Sequence, residues 1–175
     1  MSETKVVTGK VRFSYAHVFE PVAANENAEK KYSVSILIPK KDKKTLTKIK
    51  NAVEAAKEAG KAKFGNKIPN NLKLPLRDGD EEHEDDENYE GMMFVNASSN
   101  RKPSIVDENL NEIMDRGEFY SGCWGRVSVN FYAFNVSGNK GIACGLNNLQ
   151  KLEDGENLGG GGATAEEDFG DDMMA

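Results

Sequence analysis

Alternation of apolar and polar positions divides the chain into short strands and one helix. Lys5 to Phe19 (KVVTGKVRFSYAHVF) sets Val7, Gly9, Val11, Phe13 and Tyr15 on one side. Lys10, Arg12, Ser14 and Ala16 take the other, a period of two that predicts a strand. Pro21 and the polar stretch Ala23 to Glu29 mark a loop. Lys31 to Pro39 (KYSVSILIP) is a second strand with Tyr32, Val34, Ile36 and Ile38 on one face, and Pro39 ends it because proline cannot donate to the next rung. Asp42 then caps a helix running to about Phe64, where Leu46, Ile49, Val53, Ala56 and Gly60 recur at three and four residues. Gly65 and Asn66 supply its stop.

Lys67 to Glu90 is irregular, and its carboxylates predict a mobile excursion over 77–90 in place of a core element. Strand character returns at Gly91 to Ser98, with a further short strand at Pro103 to Val106 and a turn or short helix around Asn109 to Asp115. The clearest alternation is Cys123 to Asn135 (CWGRVSVNFYAFN). Val127, Val129, Phe131 and Ala133 share one face; Trp124, Arg126, Ser128, Asn130, Tyr132 and Phe134 share the other. A turn at Val136 to Gly141 leads to a closing strand, Ile142 to Leu152. Beyond it come four consecutive glycines, Gly159 to Gly162, then AEEDFGDDMMA, which together predict a flexible, disordered tail.

Charge changes the picture more than composition does. The formal net charge is −6, yet all 23 Lys and Arg lie at or before Lys151. Eight acids follow Leu152 and nine more fall between Asp78 and Glu90. Setting both runs aside leaves 12 acids against 23 bases, a body of about +11. Such a basic body with an acidic arm suits a polyanion binder that can mask itself.

The opening residues, Met1 to Val11, hold no apolar run suited to a signal peptide, and no segment approaches the ~20 apolar residues that span a bilayer. A soluble cytoplasmic protein without membrane contact is expected, with one domain over 1–152 and a tail over 153–175. Cys123 and Cys144 are the only cysteines and His17 and His83 the only histidines. Without finger spacing they predict buried thiols and no structural zinc. The run from Asp78 to Glu90 does not match a calcium loop, so neither a metal nor a cofactor is expected.

Single-stranded nucleic acid is the ligand that the outer face of Cys123–Asn135 suits. Aromatic faces stack on any base while cations follow the phosphates. Trp124, Arg126 and Tyr132 are candidates there, and Lys10, Arg12, Tyr15 and Lys31 extend the groove from the first two strands. Aromatics on both faces also fit burial on both sides beneath a helix, and for Phe13 and Phe134 the core is expected. In the tail, Phe169, Met173 and Met174 set beside Asp171 and Asp172 form a short motif able to dock on a partner or fold back on the basic groove.

The runs GKVRFSYAHVFEP, KYSVSILIPKKDKKTL, CWGRVSVNFYAFN and NKGIACGLNNLQKL, with the acidic terminus, resemble the DUF2815 family of phage single-stranded DNA-binding proteins. The resemblance implies an oligonucleotide/oligosaccharide-binding (OB) fold laid out like T7-type phage single-stranded DNA-binding proteins. The strand count agrees: mainly β, a partly open five-stranded barrel with one inserted α-helix. It implies sequence-independent binding in phage DNA replication or recombination, in the host cytoplasm, without catalysis. Arg101 and Lys102 join the cations assigned to phosphates. Single-stranded DNA is the expected partner, with replication or recombination proteins reached through the tail; self-association is left open. The tail departs from T7-type counterparts by ending Met-Met-Ala in place of an aromatic residue. Two alternatives stand beside this reading: a metal-dependent nuclease or resolvase using the acidic run, and a phage adaptor whose basic body meets an acidic protein.

Overall fold

A sheet that curls back on itself organises the chain. The computed structural model describes residues 4–23 and 26–158. Strands Lys5–Val7 (β1), Val11–Val22 (β2) and Lys31–Pro39 (β3) come first, then a helix at Lys43–Ala59 (α1) and a 3₁₀ turn at Lys61–Phe64. Arg77–Asp78 (β4), the one-turn helix Gly79–Glu82 (α2) and a 3₁₀ turn at Glu87–Tyr89 precede Met92–Ser99 (β5). Ser104–Val106 (β6), Trp124–Val136 (β7) and Asn139–Glu153 (β8) complete the order.

Strands β2, β3, β5, β8 and β7 form a ring whose seams differ in strength. The β3–β5 ladder is unbroken from Tyr32↔Ser99 to Pro39↔Met92, and the β7–β8 hairpin runs from Trp124↔Glu153 to Val136↔Asn139. Closure is thin. β2 meets β7 only at Val11↔Gly125 and Arg12↔Trp124, and β5 meets β8 through a single parallel bridge, Ser98↔Gly145. The result is a partial ring of OB-like character, not a regular barrel.

The strand expected from Lys5 to Phe19 is divided. β1 pairs with the middle of β7 (Lys5↔Asn130 to Val7↔Ser128), whereas β2 pairs with its start. Between them Thr8 exchanges bonds with Val127 through its amide (3.0 Å) and hydroxyl (3.1 Å), and the chain bends at Gly9. β2 also continues through Pro21, pairing Val22 with Lys31.

The core fills the ring from the alternating inward positions. Phe13, Ile36, Val95, Val127, Val129, Phe131 and Leu146 are all buried. Helix α1 plugs one end: Leu46, Ile49, Val53 and Ala56 face this core, and Asp42 caps the first turn by accepting from the Thr45 amide at 3.1 Å. A left-handed Gly65 (φ 75°) closes the 3₁₀ turn that follows. Cys123 and Cys144 are buried and unpaired, and burial pushes both thiols up. No described helix is long and apolar enough to cross a membrane.

The segment 77–90, expected as a mobile excursion, carries two short helical turns. It is folded against the outside of the sheet, because one tyrosine anchors it. Tyr89 is 1% exposed and lies edge-on to Phe94 (5.2 Å between centroids), forming with Leu37 a small second core outside the ring. The His83 ring stacks on Tyr89 at 4.1 Å. Lys40 bonds Asp78 (2.8 Å) and Asp80 (2.7 Å), pinning the entry, so the charges lie on the solvent side of a packed element.

Residues 154–158 are likewise not free. The Leu158 amide donates to the Ser121 carbonyl (2.9 Å), and the Tyr120 hydroxyl donates to Asp154 (2.9 Å). These bonds tie the first residues after Glu153 to the segment that precedes β7.

Candidate nucleic-acid interface

Outward-facing residues of β2, β3 and β5 line up because side chains alternate across each strand and the registers are unbroken at this end. One row across the sheet reads Trp124, Arg12, Leu37, Phe94, Arg77, each facing the next on the neighbouring strand. The next row is Ser14, Ser35, Asn96, and the one after includes His17, Ser33 and Ser98. At the far end Lys31 is exposed beside Val22, and the Lys102 ammonium sits over the Phe19 ring at 5.5 Å.

The near end is the most cationic and aromatic. The Arg12 guanidinium lies 5.6 Å and the Lys10 ammonium 5.8 Å from the Trp124 ring centre. Arg12 is held in place by donating to two carbonyls, Gly122 (3.0 Å) and Glu156 (2.9 Å). Its fork is thus fixed by backbone. Trp124 itself is positioned by a bulge: the β7–β8 register shifts between Trp124 and Gly125. A Cβ at Gly125 would lie 1.8 Å from the Gln150 carbonyl oxygen, so only glycine fits. The indole is half-buried, with Gly155 against its Nε1 and Cδ1 edge. Glu153 pairs with Lys10, so the cleft here is shared with the chain's own residues 153–156.

Tyr15 sits in the bulge of β2 between Ser14 and His17, with φ 47° and 49% of its surface exposed. An aromatic residue in the left-handed region costs on the order of 1–3 kcal/mol, and the bulge re-aims its side chain outward.

The residues expected at the interface thus fall into three groups. Lys10, Arg12 and Trp124 come together. Tyr15 occupies the middle of the β2–β3–β5 face, with Lys31, Arg101 and Lys102, all exposed, toward its far end. Tyr132 stands apart. It is 43% exposed on β7, opposite Ala143 and roughly 26 Å beyond Trp124 at about 3.3 Å per residue. Arg126 shares its face, but its Nε donates to the Thr8 carbonyl at 2.9 Å, tying β1 to β7. Phe13 is fully buried as expected; Phe134 is half-buried, its ring against Gly141. Phe169, Asp171, Asp172, Met173 and Met174 lie outside the described residues.

Sequence reasoning passed over His83, Tyr89 and Asn96. The signal for the first two was an aromatic pair inside an otherwise acidic run. Tyr89 Oη lies 3.2 Å from Ser35 Oγ, and burial pushes its phenol up. A concavity of about 670 Å³ on the other side of this segment is lined by Glu81, Glu84, Asp85 and Glu87 among others, and its charge repels a polyanion. Among the described residues no three His, Cys, Asp or Glu side chains are placed to hold a metal ion.

Residues 4–175 match the profile of the single-stranded DNA-binding protein family of Enterobacter phage Enc34. The chain belongs to this family. It is 32% identical over 181 residues to putative protein p50 of Acyrthosiphon pisum secondary endosymbiont phage 1, covering 98% of this chain and 95% of that protein. The Enc34 protein solved in complex with single-stranded DNA superposes with a TM-score of 0.78 at 25% identity, over 90% of this chain and 91% of that one. The T7 single-stranded DNA-binding protein gp2.5 shares the fold, with a TM-score of 0.61 at 15% identity over 95% and 93% of the two chains.

Proposed function

We propose that this member of the Enc34 family binds single-stranded DNA without sequence preference during phage DNA replication and recombination in the host cytoplasm, and that it is not an enzyme. The observation that carries the reading is the row on which Lys10 and Arg12 flank Trp124 at the entrance to the β2–β3–β5 face. A base stacking there contributes ~1–3 kcal/mol, and each phosphate neutralised on a single strand adds about −0.7 to the log–log salt slope. Tyr15 offers a second stacking surface, and Lys31, Arg101 and Lys102 receive the backbone at the far end. Arg126, bonded to the Thr8 carbonyl, and Tyr132, opposite Ala143, lie off this path on β7 and contribute little to the affinity.

The tail after Leu158 is assigned a double role: it masks the basic face when no DNA is present, and it presents Phe169, Asp171, Asp172, Met173 and Met174 to replication partners. The masking role is supported by two contacts of residues 153–156 with the cationic end: Glu153 pairs with Lys10, and the Glu156 carbonyl accepts from Arg12.

The test is a salt titration against single-stranded DNA, duplex DNA and RNA of one length, repeated with magnesium or manganese. Retention of intact single strands with a steep salt slope is expected. Metal-dependent cleavage, or no preference for single strands, would overturn the proposal.

A further inference from the structure

The outer face of β2–β3–β5 also contains a compact cavity whose lining differs in kind from the cationic end. It measures about 260 Å³ and is lined by Tyr15, Ser33, Ser35, His83, Tyr89 and Asn96, with Val34 at its floor. Among the described residues no Lys, Arg, Asp or Glu lines it. Whole small-molecule sites begin at about 300 Å³, so this volume suits a single flat ring system more than a complete ligand.

Its chemistry is that of a base site. Tyr15 is exposed and held by a left-handed backbone that an aromatic side chain seldom adopts. His83 is half-buried, and its ring is steadied by the stack on Tyr89 and the edge contact with Phe94 at 5.0 Å. Both rings present π surface. Ser33 and the exposed Asn96 add a hydroxyl and an amide able to donate and to accept. Splayed-out bases are recognised by this combination of aromatic or histidine faces with polar groups on their hydrogen-bonding edges.

Charge around the cavity sets the strand's direction of approach. Glu84, Asp85, Asp86 and Glu87 line the cavity on the far side of His83, whereas Arg12 and Lys31 lie toward opposite ends of the same face. Phosphates are repelled from the His83 wall and drawn to the two basic ends, so the backbone stays outside while a base turns in.

We infer that this cavity is a base-reading subsite, in which one nucleobase inserts between Tyr15 and His83 and places its edge on Asn96 and Ser33. It rests on the proposed single-stranded DNA binding and deepens it. The acidic segment then acts as the wall of a binding site, and an otherwise sequence-tolerant groove acquires one position with a base preference.

The full chain is titrated with dT, dC and dA oligomers at one salt concentration, beside the variants Tyr15→Gly and Asn96→Ala. An oligomer carrying 5-iodouracil is photo-crosslinked and the attachment mapped. Glycine suits the positive φ at position 15, so Tyr15→Gly keeps the fold while removing the ring. Crosslinks at Tyr15 or His83 are expected, with affinity about tenfold lower in Tyr15→Gly and at least a twofold narrower spread among the three oligomers in Asn96→Ala. Crosslinks confined to other residues, or both variants matching the unsubstituted chain, would overturn the subsite and leave groove binding intact. Failure of the unsubstituted chain to retain any oligomer would overturn the DNA-binding reading itself.

Discussion

Trp124 and Tyr132 occupy the same face of the same strand, yet their surroundings have little in common. Trp124 lies where β7 meets β2, so Arg12 faces it across the ladder and Lys10 reaches over its ring. Tyr132 lies where β7 pairs only with β8, opposite Ala143, with Gly145 near its ring edge. Strand periodicity decides which way a ring points. Topology decides whether a cation stands beside it, and a nucleic-acid site needs both.

The largest expected effect is therefore an asymmetry between two alanine substitutions. Trp124→Ala should weaken single-stranded DNA binding by about 1–3 kcal/mol, the worth of a stacked base. Tyr132→Ala should change affinity less than twofold; fluorescence anisotropy on one oligomer, with both variants at equal salt, makes the comparison. Equal losses would mean that the strand runs along β7 and not across β2–β3–β5.

Next comes the cationic half of the contrast. Arg12→Ala should lower the magnitude of the log–log salt slope by about 0.7, as expected for one phosphate. Arg126→Ala should leave the slope unchanged and lower thermal stability instead, since its guanidinium holds β1 to β7. Parallel salt titrations and melting curves separate the two.

A smaller effect concerns the tail. Truncation after Leu158 retains the bonds made by residues 153–158 and should raise DNA affinity a few-fold at low salt. Unaltered affinity would remove the masking role.

The smallest effect is on the wall of the groove. Hydrogen bonds from Lys40 hold the Asp78 and Asp80 carboxyls below the usual range and raise the Lys40 ammonium. The carboxylates' contribution is complete above their unfolded values of about 3.9 and fades as pH falls through the lowered folded values. The corresponding Lys40 contribution is lost only as pH rises past its folded value, above about 10.4. Amide exchange near Tyr89 should accelerate at the acidic limit, while exchange in β3 stays protected. Unchanged exchange there would show that Tyr89 burial holds the segment without the ion pairs.

The same contrast explains what could be read from residue order. β7 was legible because its inner face is wholly apolar and its outer face mixed, an alternation that survives into the structure from Val127 to Ala133. Helix α1 was legible through its stripe and the Asp42 cap. The packing of the acidic segment was not legible because carboxylates were counted while His83 and Tyr89 were not weighed against Leu37 and Phe94. Those partners are distant in sequence, and Leu37 was counted only as part of a strand. The division at Gly9 was hidden for a similar reason: Thr8 exchanges two hydrogen bonds with Val127, a contact that alternation cannot signal. The cluster of Lys10, Arg12 and Trp124 depends on a two-rung seam and on a bulge that only glycine permits. No local pattern announces either.

Trp124 is the only tryptophan in the chain, so its emission reports on the cationic end without interference. Titrating the intact protein with an unlabelled dT oligomer at low salt should quench that emission to saturation, and added salt should restore it. Binding seen by anisotropy with the emission unmoved would contradict the assignment of the Lys10, Arg12 and Trp124 cluster as the place where single-stranded DNA is held.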